Sequence, residues 1–274
     1  MTRRRRRMPR SPSDLVGGAV LYVLAGIALL GLVGPSLVVI AISFTEKRYI
    51  SFPPEGFTLT WYRAILDHQQ LLDSAVVSAR ISLVVMVVCL ALGLPAAFSL
   101  VRGRYPGRSA LGAFLVAPQM MPGMVIGVAI LFFGAYFAFR QSELMVIIAL
   151  AVFCLPFVVR VIMARLTGID PTLEEASSNL GASRSQTFAR ITLPQLLPGV
   201  LAGAAFALIE AFDNVTVSLF TASPRARPLA VELYQLIQFD SSPIVAAISA
   251  LEILLALVVV LVLARTIGLE RLRD

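Results

Sequence analysis

The fold is decided by a polar stretch, EEASSNLGASRSQTFARITLP (residues 174–194), which separates two long apolar blocks of the chain. The pattern predicts two short helices joined by a sharp bend. Asp170 is a good N-cap for the first helix, and Gly181 supplies the left-handed residue at which a helix ends. Ser183 and Gln186 form a capping box that begins the second helix. The stretch is therefore predicted to be a capped helical elbow.

The elbow carries its own apolar positions. Leu173, Ala176 and Leu180 repeat at helical spacing and predict an apolar face on the first helix. Pro194 and Pro198 are expected to stop the second helix and to restart the chain as an apolar span. An elbow between two membrane spans can plug into a groove on a soluble partner and carry rigid-body motion into the membrane.

The composition indicates a membrane protein. The 274 residues are 58% hydrophobic and 14% charged, whereas soluble domains carry about 25% charged residues. The two cysteines lie in separate apolar runs without metal-ligand spacing, and we interpret them as small hydrophobic residues. The arginine-rich start of the chain is interpreted as a topology signal rather than a nucleic-acid patch.

The apolar pattern predicts a single membrane domain at 15–265, with the elbow in a loop at about 165–197 and polar tails at 1–14 and 266–274. Six spans are expected, at about 15–44, 74–100, 110–139, 144–164, 198–220 and 242–264. A surface helix is expected near Trp61, and an outer loop at 222–241. Fifteen of the basic residues fall on the side of the elbow and the tails, against seven on the other side. The elbow and both termini are therefore predicted to be cytoplasmic.

Two spans contain residues that are unusual in a membrane helix. Pro118, Pro122 and Gly123 interrupt the third span and predict a kink or local unwinding, because proline breaks the helical hydrogen-bond ladder. Gly127 lies one turn further on. The fifth span holds Glu210 and Asp213, three residues apart and so expected on one helix face.

A third acidic residue, Glu252, lies near the middle of the sixth span. A charged group at this depth costs about 2.5–3.5 kcal/mol on insertion scales. The acids either line a path for a cationic solute or make polar contacts inside the assembly. For Glu210 and Glu252 both interpretations stay open, whereas Asp213 is assigned to the path.

The sequence lacks the residues of several chemistries. It has no glycine-rich phosphate loop with a following Lys, and His68 is its only histidine. We expect no metal site, no bound cofactor and no enzymatic activity in this chain. Energy for any transport must then come from a partner.

The elbow resembles the cytoplasmic coupling loop of ABC-importer permeases. The resemblance rests on six positions: Glu175, Ala176, Gly181, Ile191, Leu193 and Pro194. Ser177 departs from it, since that family usually has a second Ala there. The resemblance implies an all-α, type I importer permease fold with six transmembrane helices in a bacterial inner membrane. It also implies that these residues, with Ser177, contact an ATP-binding subunit dimer.

Further partners follow from the resemblance: a second permease, either a sibling or a copy of this chain, and a periplasmic solute-binding protein. The 206–220 segment is similar to the fifth span of polyamine-type permeases, with Asn214 in place of a usual Glu. This implies a polyamine-like cation as the solute.

The residues leave three alternatives to this interpretation. The first is a secondary transporter or channel that uses Glu210, Asp213 and Glu252 as a cation or proton path. The second is an intramembrane enzyme, and the third is a tether to nucleic acid or lipid through the arginine tail. Association with a separate ATPase distinguishes the importer from the first alternative.

Overall fold

The computed structural model describes residues 12–139, 141–240 and 242–267. In these ranges the chain forms twelve α-helices and no β-strand. The helices are α1 (Pro12–Ile42), α2 (Thr60–Asp67), α3 (Gln69–Arg102), α4 (Arg108–Val116), α5 (Gly123–Tyr136), α6 (Glu143–Thr167), α7 (Pro171–Asn179), α8 (Arg184–Thr187), α9 (Leu193–Phe212), α10 (Val215–Thr221), α11 (Leu229–Phe239) and α12 (Ile244–Ile267). A 3-10 turn (Ala117–Met120) follows α4, and a π turn (Phe188–Thr192) joins α8 to α9.

Five helical stretches are long and apolar enough to cross a membrane: Val20–Ile42, Gln69–Arg102, Glu143–Thr167, Arg184–Phe212 and Ile244–Arg265. A sixth span is present if the bent pair α4–α5 counts as one. The all-α membrane fold is thus confirmed, whereas the domain limits 1–14, 15–265 and 266–274 stay predictions. Most of both predicted tails, including the N-terminal arginine run, lies outside the described residues, and α1 already begins at Pro12.

The chain divides into two compact units, residues 1–63 with 242–253 and residues 64–241 with 254–274. In the first unit the segment after α1 folds back on itself. The indole Nε1 of Trp61 donates to the carbonyl oxygen of Thr45 (2.8 Å), and the hydroxyls of Ser43 and Tyr62 lie 2.7 Å apart. The helix expected near Trp61 is present as α2.

The second unit is built on α3, α6 and α9, which pack against one another. Val158 of α6 is fully buried between two glycines. A Cβ atom on Gly93 of α3 would lie 3.1 Å from Val158 Cγ1, and one on Gly203 of α9 would lie 3.3 Å from the same atom. Small residues thus let the three backbones approach closely, as is common between membrane helices. Cys89 and Cys154 are buried in this core as free thiols.

The third span is broken where its prolines lie. Helix α4 and its 3-10 turn end at Met120, α5 begins at Gly123, and the two axes differ by 104°. Gly123 and Gly127 then place α5 against α10. A Cβ on Gly127 would lie 3.0 Å from the carbonyl oxygen of Val217, and one on Gly123 would lie 2.7 Å from the hydroxyl of Thr216. The glycines are therefore needed for this close contact.

Two expectations for the end of the chain were wrong. The fifth span is not continuous from 198 to 220, because α9 ends at Phe212 and a new helix, α10, starts after Asn214. The segment 222–241 is not only a loop, since it contains α11. The first turns of α11 are buried, and Leu229 N donates to the buried hydroxyl of Ser78 on α3 (2.8 Å), which explains why the segment is ordered as a helix.

Candidate coupling loop and intramembrane polar site

The elbow forms the local structures that its sequence specifies. Asp170 Oδ1 accepts from Thr172 N (2.9 Å) at the start of α7, and this hydrogen bonding lowers the pKa of the Asp170 carboxyl below its ordinary value. Gly181 has φ +84°, in the left-handed region that favours glycine. Ser183 and Gln186 make both hydrogen bonds of a capping box. The capped elbow is thus present, with α7 and α8 as its two arms.

The inward side of α7 is polar. Glu174 Oε1 accepts from the hydroxyl of Thr192 (3.1 Å) and, over a longer distance, from Arg102 at the end of α3 (3.4 Å). The same guanidinium donates to the carbonyl oxygen of Ile169 (2.9 Å). Because the Glu174 and Arg102 side chains are only 21% and 19% exposed, this ion pair is partly shielded from water. The contacts fasten α7 to the end of α3 and to the π turn.

The exposed surface of α7 and of its C-cap residue, Leu180, includes an apolar stripe. Leu173, Ala176 and Leu180 are all exposed, and Leu180 is 89% exposed. An ordinary surface helix buries its apolar stripe and exposes its polar residues. Helix α7 instead turns Glu174 and Ser177 inward and leaves this apolar stripe exposed.

The other residues of the predicted coupling motif occupy different environments. Glu175 is exposed, and Ser177 faces inward, where its hydroxyl lies 3.0 Å from that of Thr187. Ile191 and Leu193 are half-buried. The serine that departs from the family pattern therefore joins the two arms of the elbow.

Pro194 does not stop the helix as expected. The chain stays helical from α8 through the π turn into α9, and Leu193 N donates to the carbonyl of Phe188, five residues earlier. A π turn shifts the hydrogen-bond register here, and Pro194 falls in the first turn of α9, the part of a helix in which proline is tolerated. Pro198 lies inside α9. The elbow is thus continuous with the fifth span.

Two further contacts join the elbow to the spans. The rings of Phe188 and Phe98 meet edge to face at 5.7 Å, which joins the π turn to α3. Arg165 Nε donates to the carbonyl oxygen of Gln195 (2.8 Å), which joins the end of α6 to the start of α9. The elbow is therefore connected to α3, α6 and α9 by direct contacts.

Sequence reasoning missed Glu174 and Arg102. In the sequence, Arg102 contributes only to the predicted topology, and the resemblance to the family selects Glu175 rather than Glu174. The helical pattern does not separate the two residues, because Glu174 and Glu175 both lie off the stripe formed by Leu173, Ala176 and Leu180.

The break in the fifth span gathers polar side chains. Asn214 Oδ1 accepts from Val217 N (2.9 Å) and caps α10, while its amide donates to Glu210 Oε1 (3.1 Å). Asp213 is the residue after α9 rather than part of it, and its side chain is exposed. The structure thus brings Glu210 and Asn214 together, with Asp213 beside them. Glu252 lies half-buried on α12.

A comparison with protein families identifies the chain. Residues 89–269 match the model of the binding-protein-dependent transport system inner membrane component. The chain belongs to this family. It is therefore a permease subunit of an ABC importer, and the predicted membership of that class is confirmed.

Individual relatives point to the polyamine-type branch of the permeases. The spermidine/putrescine transport system permease protein PotC of Escherichia coli (strain K12) is 29% identical over 227 residues, which cover 83% of this permease and 86% of PotC. The putrescine transport system permease protein PotI of the same strain is 28% identical over 235 residues, or 82% and 83% of the two chains. The molybdenum transport system permease protein ModB is 30% identical over 61% of this permease and 80% of ModB.

Solved structures share the fold of the permease. A bacterial ABC transporter that imports the acidic polysaccharide alginate gives a TM-score of 0.73 at 18% identity, covering 94% of this chain and 99% of that one. The MetNI methionine ABC transporter gives 0.61 at 22% identity, covering 72% and 94%. These likenesses support the type I importer fold.

Proposed function

We propose that this permease couples a cytoplasmic ATP-binding subunit dimer to a solute path through the membrane, and that α7 is the docking element. The observation that carries the proposal is the apolar stripe that α7 leaves exposed while Glu174 and Ser177 face the permease. Its exposed apolar stripe, Leu173, Ala176 and Leu180, offers a surface to a groove on the ATPase, while Glu174 on the other side holds the helix to the permease. Binding and hydrolysis of ATP take place in that partner.

The contacts of the elbow define how motion is passed on. When the ATPase dimer closes, it displaces α7, and the displacement reaches α3 through the Glu174–Arg102 pair and the Phe188–Phe98 ring contact. The helical connection through the π turn moves α9 at the same time. Helices packed at close-fitting glycines, such as Gly93 and Gly203, shift as rigid bodies between discrete arrangements rather than deforming. ATP thus drives a two-state change between outward and inward openings.

The acids of the spans define the solute path in this proposal. Glu210 and Asp213 lie at the break of the fifth span, and Glu252 lies on α12. Acidic groups at this depth favour an ammonium-bearing solute, since ion pairing offsets the cost of burying them. A polyamine-like cation is the first candidate, in keeping with the names of PotC and PotI.

The remaining parts of the assembly follow from the family. A second permease, a sibling or a copy of this chain, completes the path, and a periplasmic binding protein delivers the solute. The excess of arginines on the side of the elbow supports an inner-membrane orientation with both termini in the cytoplasm. Nucleic acid has no part in this function.

The docking proposal is tested by adding one charge to the elbow. The tagged permease is purified from its native membranes, and co-purifying subunits with a Walker A motif are identified by mass spectrometry. Leu180→Glu places a carboxylate in the apolar stripe and is expected to reduce recovery of the ATPase at least tenfold. Ser185→Glu adds the same charge to an exposed polar position of α8 and is expected to leave recovery unchanged.

Absence of any ATPase from the unaltered permease contradicts the proposal and favours the secondary transporter. Equal recovery of the ATPase with Leu180→Glu and Ser185→Glu contradicts only the assignment of α7 as the docking element.

A further inference from the structure

The second unit contains an open pocket at the end of α3 that lies away from the elbow. Gln70 of the pocket and Arg102 of the elbow contact are separated by most of α3, or about 48 Å at 1.5 Å per residue. The pocket has a volume of about 430 Å³, within the range of sites for small molecules. Its polar walls come from α3 (Gln69, Gln70 and Asp73) and from the segment between α10 and α11 (Arg225 and Arg227).

One pair of charges beside the pocket is already satisfied within the protein. Arg227 donates to Glu232 Oε2 (3.0 Å) and to Gln235 Oε1 (2.6 Å). Gln70 Nε2 donates to the other carboxylate oxygen of Glu232 (2.7 Å), and Glu232 is only 6% exposed. These groups hold α11 against α3, and Arg227 is neutralised by Glu232.

Two charges in the pocket are left without a counter-charge. Asp73 accepts only from the neutral amide of Gln69 (3.0 Å). Arg225 forms no ion pair with any residue that the structure describes. Both side chains are exposed and line the same space. The pocket thus offers one carboxylate and one guanidinium to a ligand.

The pocket adjoins the break in the fifth span. Ser74 lines it, and Ser78 lies one turn further along the same face of α3. The Ser78 hydroxyl accepts from Leu229 N (2.8 Å) and is 3.5 Å from the carbonyl oxygen of Phe212, the residue before Asp213. A ligand in the pocket is therefore separated from the acids of the break by this serine contact.

We propose that the pocket is an outer binding site for a small zwitterion, with Asp73 holding its ammonium group and Arg225 its carboxylate. The proposal rests on the solute path described above. It keeps the requirement for an ammonium-bearing solute but replaces the polyamine-like cation, the first candidate above, by an amino carboxylate. A diamine has a positive charge at both ends, so Arg225 repels one end of it. An amino carboxylate satisfies both free charges of the pocket, and when it leaves the pocket it carries the same ammonium group to Glu210 and Asp213.

Four-carbon probes separate these classes of ligand. Putrescine is a dication, 4-aminobutyrate a zwitterion, butyrate an anion and succinate a dianion, all with similar chain length. Binding of each probe to the full-length chain is measured by saturation-transfer difference NMR in nanodiscs of phosphatidylcholine, a lipid without net charge. We expect 4-aminobutyrate to bind at least tenfold more tightly than the other three probes.

Variants of the two free charges identify the site. Arg225→Gln and Asp73→Asn are each expected to weaken 4-aminobutyrate binding about tenfold, whereas Arg63→Gln, an exposed arginine outside the pocket, leaves it unchanged. Arg225→Asp gives the pocket two carboxylates and is expected to switch its preference to putrescine, a gain that misfolding cannot imitate.

The proposal is overturned if putrescine binds the unaltered chain as tightly as 4-aminobutyrate, if no probe binds, or if Arg225→Gln leaves 4-aminobutyrate binding intact. The assay needs no ATPase, so failure of the coupling proposal leaves its result unaffected. Loss of ATPase docking by Leu180→Glu, conversely, does not depend on the solute.

Discussion

Replacing Glu174 by Ala removes the inward polar contacts of α7 and should loosen the elbow. Two interactions are lost, the hydrogen bond from Thr192 at 3.1 Å and the long ion pair with Arg102 at 3.4 Å. Thr192 is only 1% exposed, and its hydroxyl is left without the Glu174 acceptor, which costs about 1–3 kcal/mol. The partly shielded ion pair adds up to about 1 kcal/mol. Arg102 keeps its hydrogen bond to the carbonyl oxygen of Ile169, so the free-energy cost of leaving its guanidinium without Glu174 is limited.

A loss of about 2 kcal/mol raises the population of the locally opened elbow about 30-fold. Amide hydrogen exchange of α7, followed by mass spectrometry on the permease in nanodiscs, reports this population directly. Glu174→Ala is expected to accelerate exchange in residues 171–180 by about that factor.

Two matched variants make the measurement specific. Glu174→Gln keeps an acceptor for Thr192 and loses only the charge, so its effect should be a few-fold. Glu175→Ala alters the neighbouring exposed carboxylate and should change exchange by no more than about twofold. Equal acceleration in the Glu174 and Glu175 alanine variants, or none in either, refutes the assignment of Glu174 as the link between elbow and α3.

Three further predictions concern backbone and caps. Gly181→Pro is expected to abolish ATP-driven transport in proteoliposomes without preventing membrane insertion, because proline cannot adopt φ +84°. Gly181→Asn should retain transport in this assay, because asparagine tolerates the left-handed region. Gly127→Leu should destabilise the α5–α10 contact by about 1–3 kcal/mol and lower the midpoint of thermal unfolding. Gly112→Ala should leave that midpoint unchanged, because the added Cβ meets Leu100 at an ordinary contact distance of 3.5 Å. Folding lowers the pKa of Asp170, so its cap stabilises α7 fully above the unfolded pKa of about 3.9, and this stabilisation is lost as pH falls through the folded pKa. In the unaltered protein, protease cleavage of α7 should therefore increase on acidification. Asp170→Asn should lack this increase.

The caps of the elbow could be predicted because they depend on neighbours in sequence. Asp170, Gly181 and the Ser183–Gln186 pair each act on backbone groups within four residues, and the structure confirms all three. The Glu174–Arg102 pair joins residues 72 positions apart. No local pattern specifies which of the many arginines faces that carboxylate, so the contact required the fold.

The errors in the sequence analysis come from local rules that packing overrides. Pro194 is a strong stop signal, yet a π turn and the bond from Arg165 to the Gln195 carbonyl keep the helix continuous. Asn214 was interpreted through its place in the family pattern. Its capping of Val217 is a local signal that could have predicted the break, and with it the exposed position of Asp213.

Helix α3 contacts the elbow at one end and the pocket region at the other. Arg102 joins it to the elbow, and Gln70 joins it to Glu232 beside the outer pocket. Pro95 lies between these ends, where it removes one helical hydrogen bond, but Gly93 is held against Val158 and limits independent bending there. If both ligands bias the position of this one helix, their binding free energies are linked reciprocally. Ligand binding in the pocket must then change the affinity of α7 for the ATPase by some factor. Binding of the ATPase must change the affinity of the pocket for its ligand by the same factor. Measuring the two factors separately tests whether α3 connects the sites.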